Sequence, residues 1–259
     1  MKLLTLATVV VQFLALGLGN LTAQAQDSFL GVKGGVSIQS LVGGGGNEVS
    51  RDYKSRLAPN FGGFLDLGIT KRFSMQAEIN YAGQGGTREG VQPITSSLPG
   101  LPPLPTGVYY YGDFKTKAVL NYIELPVMAK YRWRADRGTR FYGNAGMFYG
   151  HLLNAKTLTS GSSTIYLTNT KTPLLLPPAN QPLPPLSFKA ETDIQESLHH
   201  NNVGFTGGGG IEVPRGRGYF LLDARVSYGF RVIQKDPLNG SSHTGNIVVS
   251  VGYAFNVRK

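Results

Sequence analysis

Cysteine is absent from all 259 residues, which excludes disulfides, thiol catalysis, thiolate metal sites and lipidation of a cysteine. Long apolar runs are also missing after Leu18. No later segment approaches the ~18 consecutive apolar residues that mark a membrane-spanning helix. Acidic residues are scarce, 15 against 25 Lys and Arg, for a net charge of +10. Such a balance can mark a nucleic-acid binder, but no DNA- or RNA-binding motif occurs and the start of the chain argues for export. Anionic lipid headgroups or polyanionic surface sugars are the more economical counterparts.

That start reads Met1-Lys2, then an apolar stretch from Leu3 to Leu18, then Ala23-Gln24-Ala25. A short basic segment, an apolar middle and an A-x-A site predict a secretory signal peptide over 1–25, cleaved before Gln26. Residues 26–259 then form one domain. An exported domain without disulfides needs another source of robustness, and a closed barrel supplies one. The 35 Gly and 13 Tyr suit tight turns, close strand packing and aromatic girdles. A mean hydropathy close to neutral fits strands that show one face to lipid and the other to water.

The most informative stretch is Val119–Trp133, VLNYIELPVMAKYRW. Ile123, Leu125, Val127, Ala129, Tyr131 and Trp133 share one face; Tyr122, Glu124, Pro126, Met128 and Lys130 share the other. A period of two over this length is a strand. An apolar outer face, a polar inner face and aromatics at the rim are the marks of a transmembrane β-barrel strand. The same alternation recurs at Phe29–Ile38, Asn60–Ile69, Phe73–Tyr81, Phe141–Leu152, Val203–Val213, Tyr219–Phe230 and Asn246–Val257. Short turns near 70–72, 134–138 and 214–218 alternate with longer connections near 39–57, 83–117, 154–201 and 231–245. An even strand count with short turns on one side and long loops on the other predicts an all-β fold, an eight-stranded antiparallel up-and-down transmembrane β-barrel.

The segments 83–117 and 154–201 hold most of the prolines and show no periodicity, so they are expected to be long loops. Each contains Leu-Pro-Pro-Leu, at Leu101, Pro102, Pro103, Leu104 and again at Leu183, Pro184, Pro185, Leu186. Such a segment prefers an extended polyproline conformation; it can serve as a docking ligand or as a stiff apolar spacer packed on its own loop. The glycine run Gly43–Gly46 lacks the Lys-Ser/Thr pair and helix of a phosphate cradle and reads as a loop tip. Gly207–Gly210 would weaken a soluble strand; in a barrel wall it permits strong curvature or a bulky neighbour.

On the inward faces lie Lys33, Asp66, Glu78, Glu124, Lys130, Glu212, Asp223 and Arg225. Paired carboxylates can do acid–base work, but eight strands enclose an interior just wide enough to be filled by side chains. A self-neutralising polar plug is therefore expected, with Glu124 against Lys130, Asp223 or Arg225 at its centre. His151, His199, His200 and His243 sit near strand ends or in loops, with Asp193 and Glu196 near the central pair. No H-E-x-x-H or G-x-S-x-G motif accompanies them. No enzyme, metal or cofactor is predicted.

Asn121-Tyr122-Ile123-Glu124-Leu125-Pro126-Val127, followed by Lys130-Tyr131, resembles the Y-[LI]-E-[IL]-P-x-x-x-K-Y signature of PorT-like outer-membrane β-barrel proteins of the Bacteroidota. Gly31–Gly35 (GVKGG), Asp223–Gly229 (DARVSYG) and Gly252–Phe255 (GYAF) add to the likeness, which covers the mature chain outside the two proline-rich segments. The resemblance implies an integral outer-membrane barrel. Its name-giving member is associated with protein secretion by the type IX route, which implies a partner in a secretion apparatus. Chain ends of barrels commonly finish on an aromatic, whereas here Phe255 precedes Asn256-Val257-Arg258-Lys259. The functional expectations are a monomeric membrane scaffold or interaction protein contacting outer-membrane lipids, with a small passive pore and a rim enzyme as alternatives.

Overall fold

The computed structural model describes residues 27–98, 100–134, 138–176 and 181–257. The expected signal peptide lies outside them. Eight long strands run β1 Ser28–Val42, β2 Arg56–Gly68, β3 Phe73–Ile94, β4 Tyr110–Arg134, β5 Arg140–Ser160, β6 Asn201–Arg215, β7 Gly218–Gly229 and β8 His243–Asn256. Each pairs antiparallel with the next. β1 also pairs with β8, from Phe29↔Asn256 to Val42↔His243, so the sheet closes on itself as an eight-stranded ring. Closure removes the edges that an open sheet would leave unpaired.

The two faces of the wall differ as the alternation demands. Val32, Val36, Ile79, Val127, Val226 and Val251 point outward and stay largely exposed, Val32 at 65%, whereas inward-facing Asp66 is at 0%. Aromatic rings band the outer surface. At the end bearing the short turns, Phe73 lies 4.9 Å from Tyr131, Trp133 6.5 Å from Phe141, and Phe220 4.8 Å from Tyr253. Toward the other end, Phe61 stacks on Tyr81 at 5.0 Å and Tyr228 lies 6.3 Å from Phe230. Two girdles bracketing an apolar belt are what a bilayer's two interfaces select.

The expected loop 83–117 is largely strand, and the expected loop 154–201 begins as strand and carries short strands further on. β3 and β4 continue as a paired ribbon from Gly83↔Asn121 to Ile94↔Tyr110. β5 extends to Ser160, and a short strand, Ala190–Asp193, pairs along its Lys156–Thr159 stretch. Above the membrane the outer face need not be apolar, so the contrast between faces that reveals a strand disappears. Positive φ at Gly85 (125°) and Gly90 (105°) and a register shift at Asn121/Tyr122 break the period further. The connections left are 43–55, 95–109, 161–200 and 230–242.

Two features set the shape of the interior. Pairing between β3 and β4 skips Glu78 and Ile79 against Leu125 and Pro126, where proline has no N–H to donate. In β6 the glycines make room for a ring: a Cβ on Gly210 would lie 2.6 Å from the Tyr142 hydroxyl and would also meet the Leu222 carbonyl. Gly210→Val is therefore expected to destabilise the barrel by about 1–3 kcal/mol through overpacking. Gly45→Ala, which meets nothing within 4 Å, is expected to leave it unchanged. The check is the temperature at which each variant loses the fast gel migration of a folded barrel.

Candidate functional site

Inside the ring the charged residues fall into two clusters. At the end with the short turns, Lys130 Nζ lies 3.0 Å from Asp66 Oδ2 and 2.6 Å from Glu212 Oε1. Arg132 bridges the same two carboxylates, with its Nε 3.0 Å from Glu212 Oε2, and Arg140 Nε reaches that oxygen at 3.0 Å. Lys130 also sits 4.0 Å over the Tyr142 ring. Further into the barrel, Glu78 Oε2 receives Lys33 Nζ and Arg225 Nη1, both at 2.9 Å, and Arg225 Nη2 lies 3.0 Å from Asp223 Oδ1. The Tyr142 hydroxyl donates to Asp223 Oδ2 at 2.6 Å. Glu78 occupies the gap that Pro126 leaves in the ladder.

Glu124 is not the centre of this network. It makes no ion pair among the described residues, and its one hydrogen bond is from Gln84 Nε2 at 2.9 Å. It lies along β4 beyond both clusters, so Lys130, Asp223 and Arg225 are paired elsewhere. Arg132, Arg140 and Gln84 also belong to the lumen and were not among the residues singled out from sequence. Alternation could have found the two arginines, because Tyr131, Trp133 and Phe141 point outward and their neighbours must point in.

Beyond Glu124 an apolar layer crosses the lumen. Leu120, Tyr122, Leu152 and Ala155 of the wall pack with Leu198 and Ile233 from the two connections that fold over the opening. Backbone bonds hold these connections together: His199 N–H donates to the Ile233 carbonyl at 2.7 Å, and Leu152 N–H to that of His200 at 2.7 Å. The first long connection joins them through Asn47 Nδ2, which donates to the Pro237 carbonyl at 2.7 Å. Gly44–Gly46 is a 3-10 turn in this connection. A cavity of about 380 Å³ remains above the apolar layer, under the overhanging β3–β4–β5 ribbon.

The Leu-Pro-Pro-Leu segments meet a second apolar cluster on the inner face of the ribbon. Ile94, Phe114 and Ile165 are its buried heart, and Leu98, Leu101, Leu183, Leu186 and Phe188 pack on it. The Phe188 ring stacks on Phe114 at 4.4 Å. Leu104 is partly buried, while Pro102, Pro103, Pro184 and Pro185 are exposed. Nearby, the Tyr111 hydroxyl donates to the Glu48 carboxylate. Burial and that carboxylate push the Tyr111 phenol up to about 12.

The histidines are not gathered. His151 Nδ1 lies 2.9 Å from Asn201 Oδ1, and His243 Nδ1 lies 3.1 Å from the Gly229 carbonyl. His199 Nδ1 faces the Arg231 guanidinium at 3.0 Å. Burial, Arg231 and Lys235 hold its imidazole below the usual range. The Asp193 carboxylate accepts from Gln195 N–H at 2.8 Å. Among the described residues no set of three His, Asp or Glu side chains could hold a metal.

Residues 23–234 match the outer membrane protein beta-barrel domain family. No curated protein is significantly similar to the chain. Solved structures with a related outline include Ail, the attachment invasion locus protein of Yersinia pestis, at 12% identity over 88% of this chain and 98% of that one, TM-score 0.38. Neisserial surface protein A shares 8% identity over 90% and 98%, TM-score 0.40. OprG from Pseudomonas aeruginosa shares 11% over 90% and 98%, TM-score 0.39. With a closed ring of eight antiparallel strands, a girdled apolar belt and a family match over most of its length, the chain belongs to the outer membrane protein beta-barrel domain family and is an integral protein of the Gram-negative outer membrane.

Proposed function

We propose that this barrel is a non-enzymatic membrane scaffold and that its extracellular cap, rather than its lumen, carries the interaction. The observation behind this reading is the arrangement of the two Leu-Pro-Pro-Leu segments. Residues far apart in sequence set Leu101, Leu183 and Leu186 into one apolar cluster and leave four prolines at the surface. Proline surfaces held in place lose little conformational entropy on binding, which favours docking of a protein partner. The lumen supports the same division of labour. Its width is taken up by Phe64, Met128, Tyr142, Phe148 and the two ion clusters, which opposes a passive pore.

The PorT-like resemblance offers a secretion apparatus as the setting. Tyr122, Glu124, Pro126 and Lys130 of the signature face the lumen, so they serve the wall. A secretion partner would meet the cap or the rim near the short turns. The exposed apolar belt suits lipid on every side and a single barrel as the functional unit.

Two outcomes are expected. A photo-crosslinking residue placed at Pro103 or Pro184 captures a discrete protein in intact cells, and one placed at Lys71 on a short turn does not. Replacing Pro102, Pro103, Pro184 and Pro185 by Ser removes that crosslink while the barrel still folds. Equal capture at Lys71, or capture that survives the Ser replacements, sinks the proposal. In planar bilayers the protein is expected to show no conductance above the bare membrane. Glu212→Ala, which strands Arg140 and leaves Lys130 and Arg132 to share Asp66 alone, should lower stability by about 3–5 kcal/mol in urea unfolding from lipid vesicles. Stepwise conductance by the unaltered protein would favour the pore instead.

A further inference from the structure

Arg88 lies on the inner side of the β3 extension, 3% exposed, and lines the cavity under the cap. Its Nη1 donates to the carbonyls of Glu48 and Val49, at 2.8 and 3.3 Å. Among the described residues its Nε and Nη2 make no hydrogen bond, and no carboxylate comes within ion-pair distance of it. The acids that act on it are engaged by another cation, since Arg51 Nη2 lies 3.6 Å from Glu48 and its Nε 3.6 Å from Asp52, and the adjacent Glu89 pairs with Lys115 at 3.0 Å. Every lumen cation described above has a carboxylate in contact; Arg88, as deeply buried, has none. A buried guanidinium without a counter-charge is costly to keep. Burial accordingly draws Arg88 below its ordinary value, with Tyr53 and Asp52 acting in the opposite direction.

The rest of the cavity is of a different character. Leu41, Leu120, Leu198 and Ile233 line its base, and Phe114 and Phe188 its side. Ser242 also lines it, with a buried hydroxyl that has no partner. Exposed Ala190 and Thr192 stand at its margin, so the space reaches the surface. Its volume of about 380 Å³ falls in the range of about 300–1,000 Å³ usual for small-molecule sites. One cation in an otherwise uncharged chamber, whose base is apolar and whose walls carry Gln92, Thr116, Thr157 and Thr159, matches a ligand with one negative head and one apolar tail. The chamber has room for one chain and not for a multi-chain lipid.

We propose that this cavity binds a single-chain fatty carboxylate, with the carboxylate on Arg88 and the chain against Leu120, Leu198 and Ile233. Arg88 supplies two free N–H directions suited to a planar carboxylate. The Ser242 hydroxyl is a further donor in the same chamber. The binding does not depend on what the outer face of the cap contacts.

The test uses the full barrel in detergent-free lipid nanodiscs, with radiolabelled decanoate in equilibrium dialysis and empty nanodiscs subtracted. Saturable binding of one decanoate per barrel is expected, with decanol, which has the chain without the charge, weaker by roughly tenfold or more. Arg88→Gln should weaken decanoate to a similar extent while leaving decanol unchanged, and Arg88→Lys should restore part of the loss. Thr192→Phe, at the exposed margin, should reduce both ligands and does not depend on Arg88 being replaceable. The proposal is overturned by no saturable component, by decanol binding as well as decanoate, or by undiminished binding to either Arg88→Gln or Thr192→Phe.

Discussion

Lipid offers no partner to a backbone N–H or C=O, and the rest of this structure follows from that constraint. A sheet in the membrane must close, and eight strands close around a space too narrow for bulk water. The inner face is then in a demanding position. It carries charged side chains in a confined interior, where a charge is kept at little cost only beside its opposite. Lys33, Glu78, Asp223 and Arg225 do so at one level, and Asp66, Lys130, Arg132, Arg140 and Glu212 at another. The aromatic residues reinforce the arrangement: Tyr142 donates to one cluster through its hydroxyl and offers its ring face to Lys130 of the other.

Outside the membrane the constraint relaxes and the architecture changes with it. β3, β4 and β5 keep pairing after the other strands have ended, and the result is a ribbon that overhangs the opening. Its inner face no longer needs to neutralise a closed lumen. Apolar residues from the connections occupy it instead, one group sealing the top of the barrel and another holding the proline segments. Arg88 is anomalous in this setting because it retains the buried position of a lumen cation without a lumen partner.

How much of this was legible in the sequence depended on whether the two faces of a strand meet different surroundings. β8 shows the favourable case, with Ile247, Val249, Val251, Tyr253 and Phe255 against lipid and Asn246, Val248 and Ser250 inside. The alternation fixes which residues face in, yet says nothing of register across the ring. For that reason Glu124 looked central and proves to be peripheral, being set opposite Asn80 on β3 and Gly150 on β5. Arg132 was equally accessible to the pattern but was overshadowed by the aromatics on either side. The upper halves of β3, β4 and β5 were illegible for a different reason: Lys115 and Lys117 face water on the outside while Thr116 and Ala118 face the cap's interior, a contrast too shallow to stand out beside glycines and prolines.

The ring has one seam between strands distant in sequence, where Phe29 pairs with Asn256 and Val42 with His243. Every other junction joins neighbours along the chain. During biogenesis the sheet therefore remains an open ribbon until the last strand has been delivered. Throughout that interval the ion pairs that span the ring are unmade: Lys33 has no Asp223 across from it, and Glu78 no Arg225. The order of synthesis thus separates the moment at which strands pair from the moment at which charges are reconciled. A host must shield an incomplete, highly polar trough from lipid until the two ends of the sheet meet.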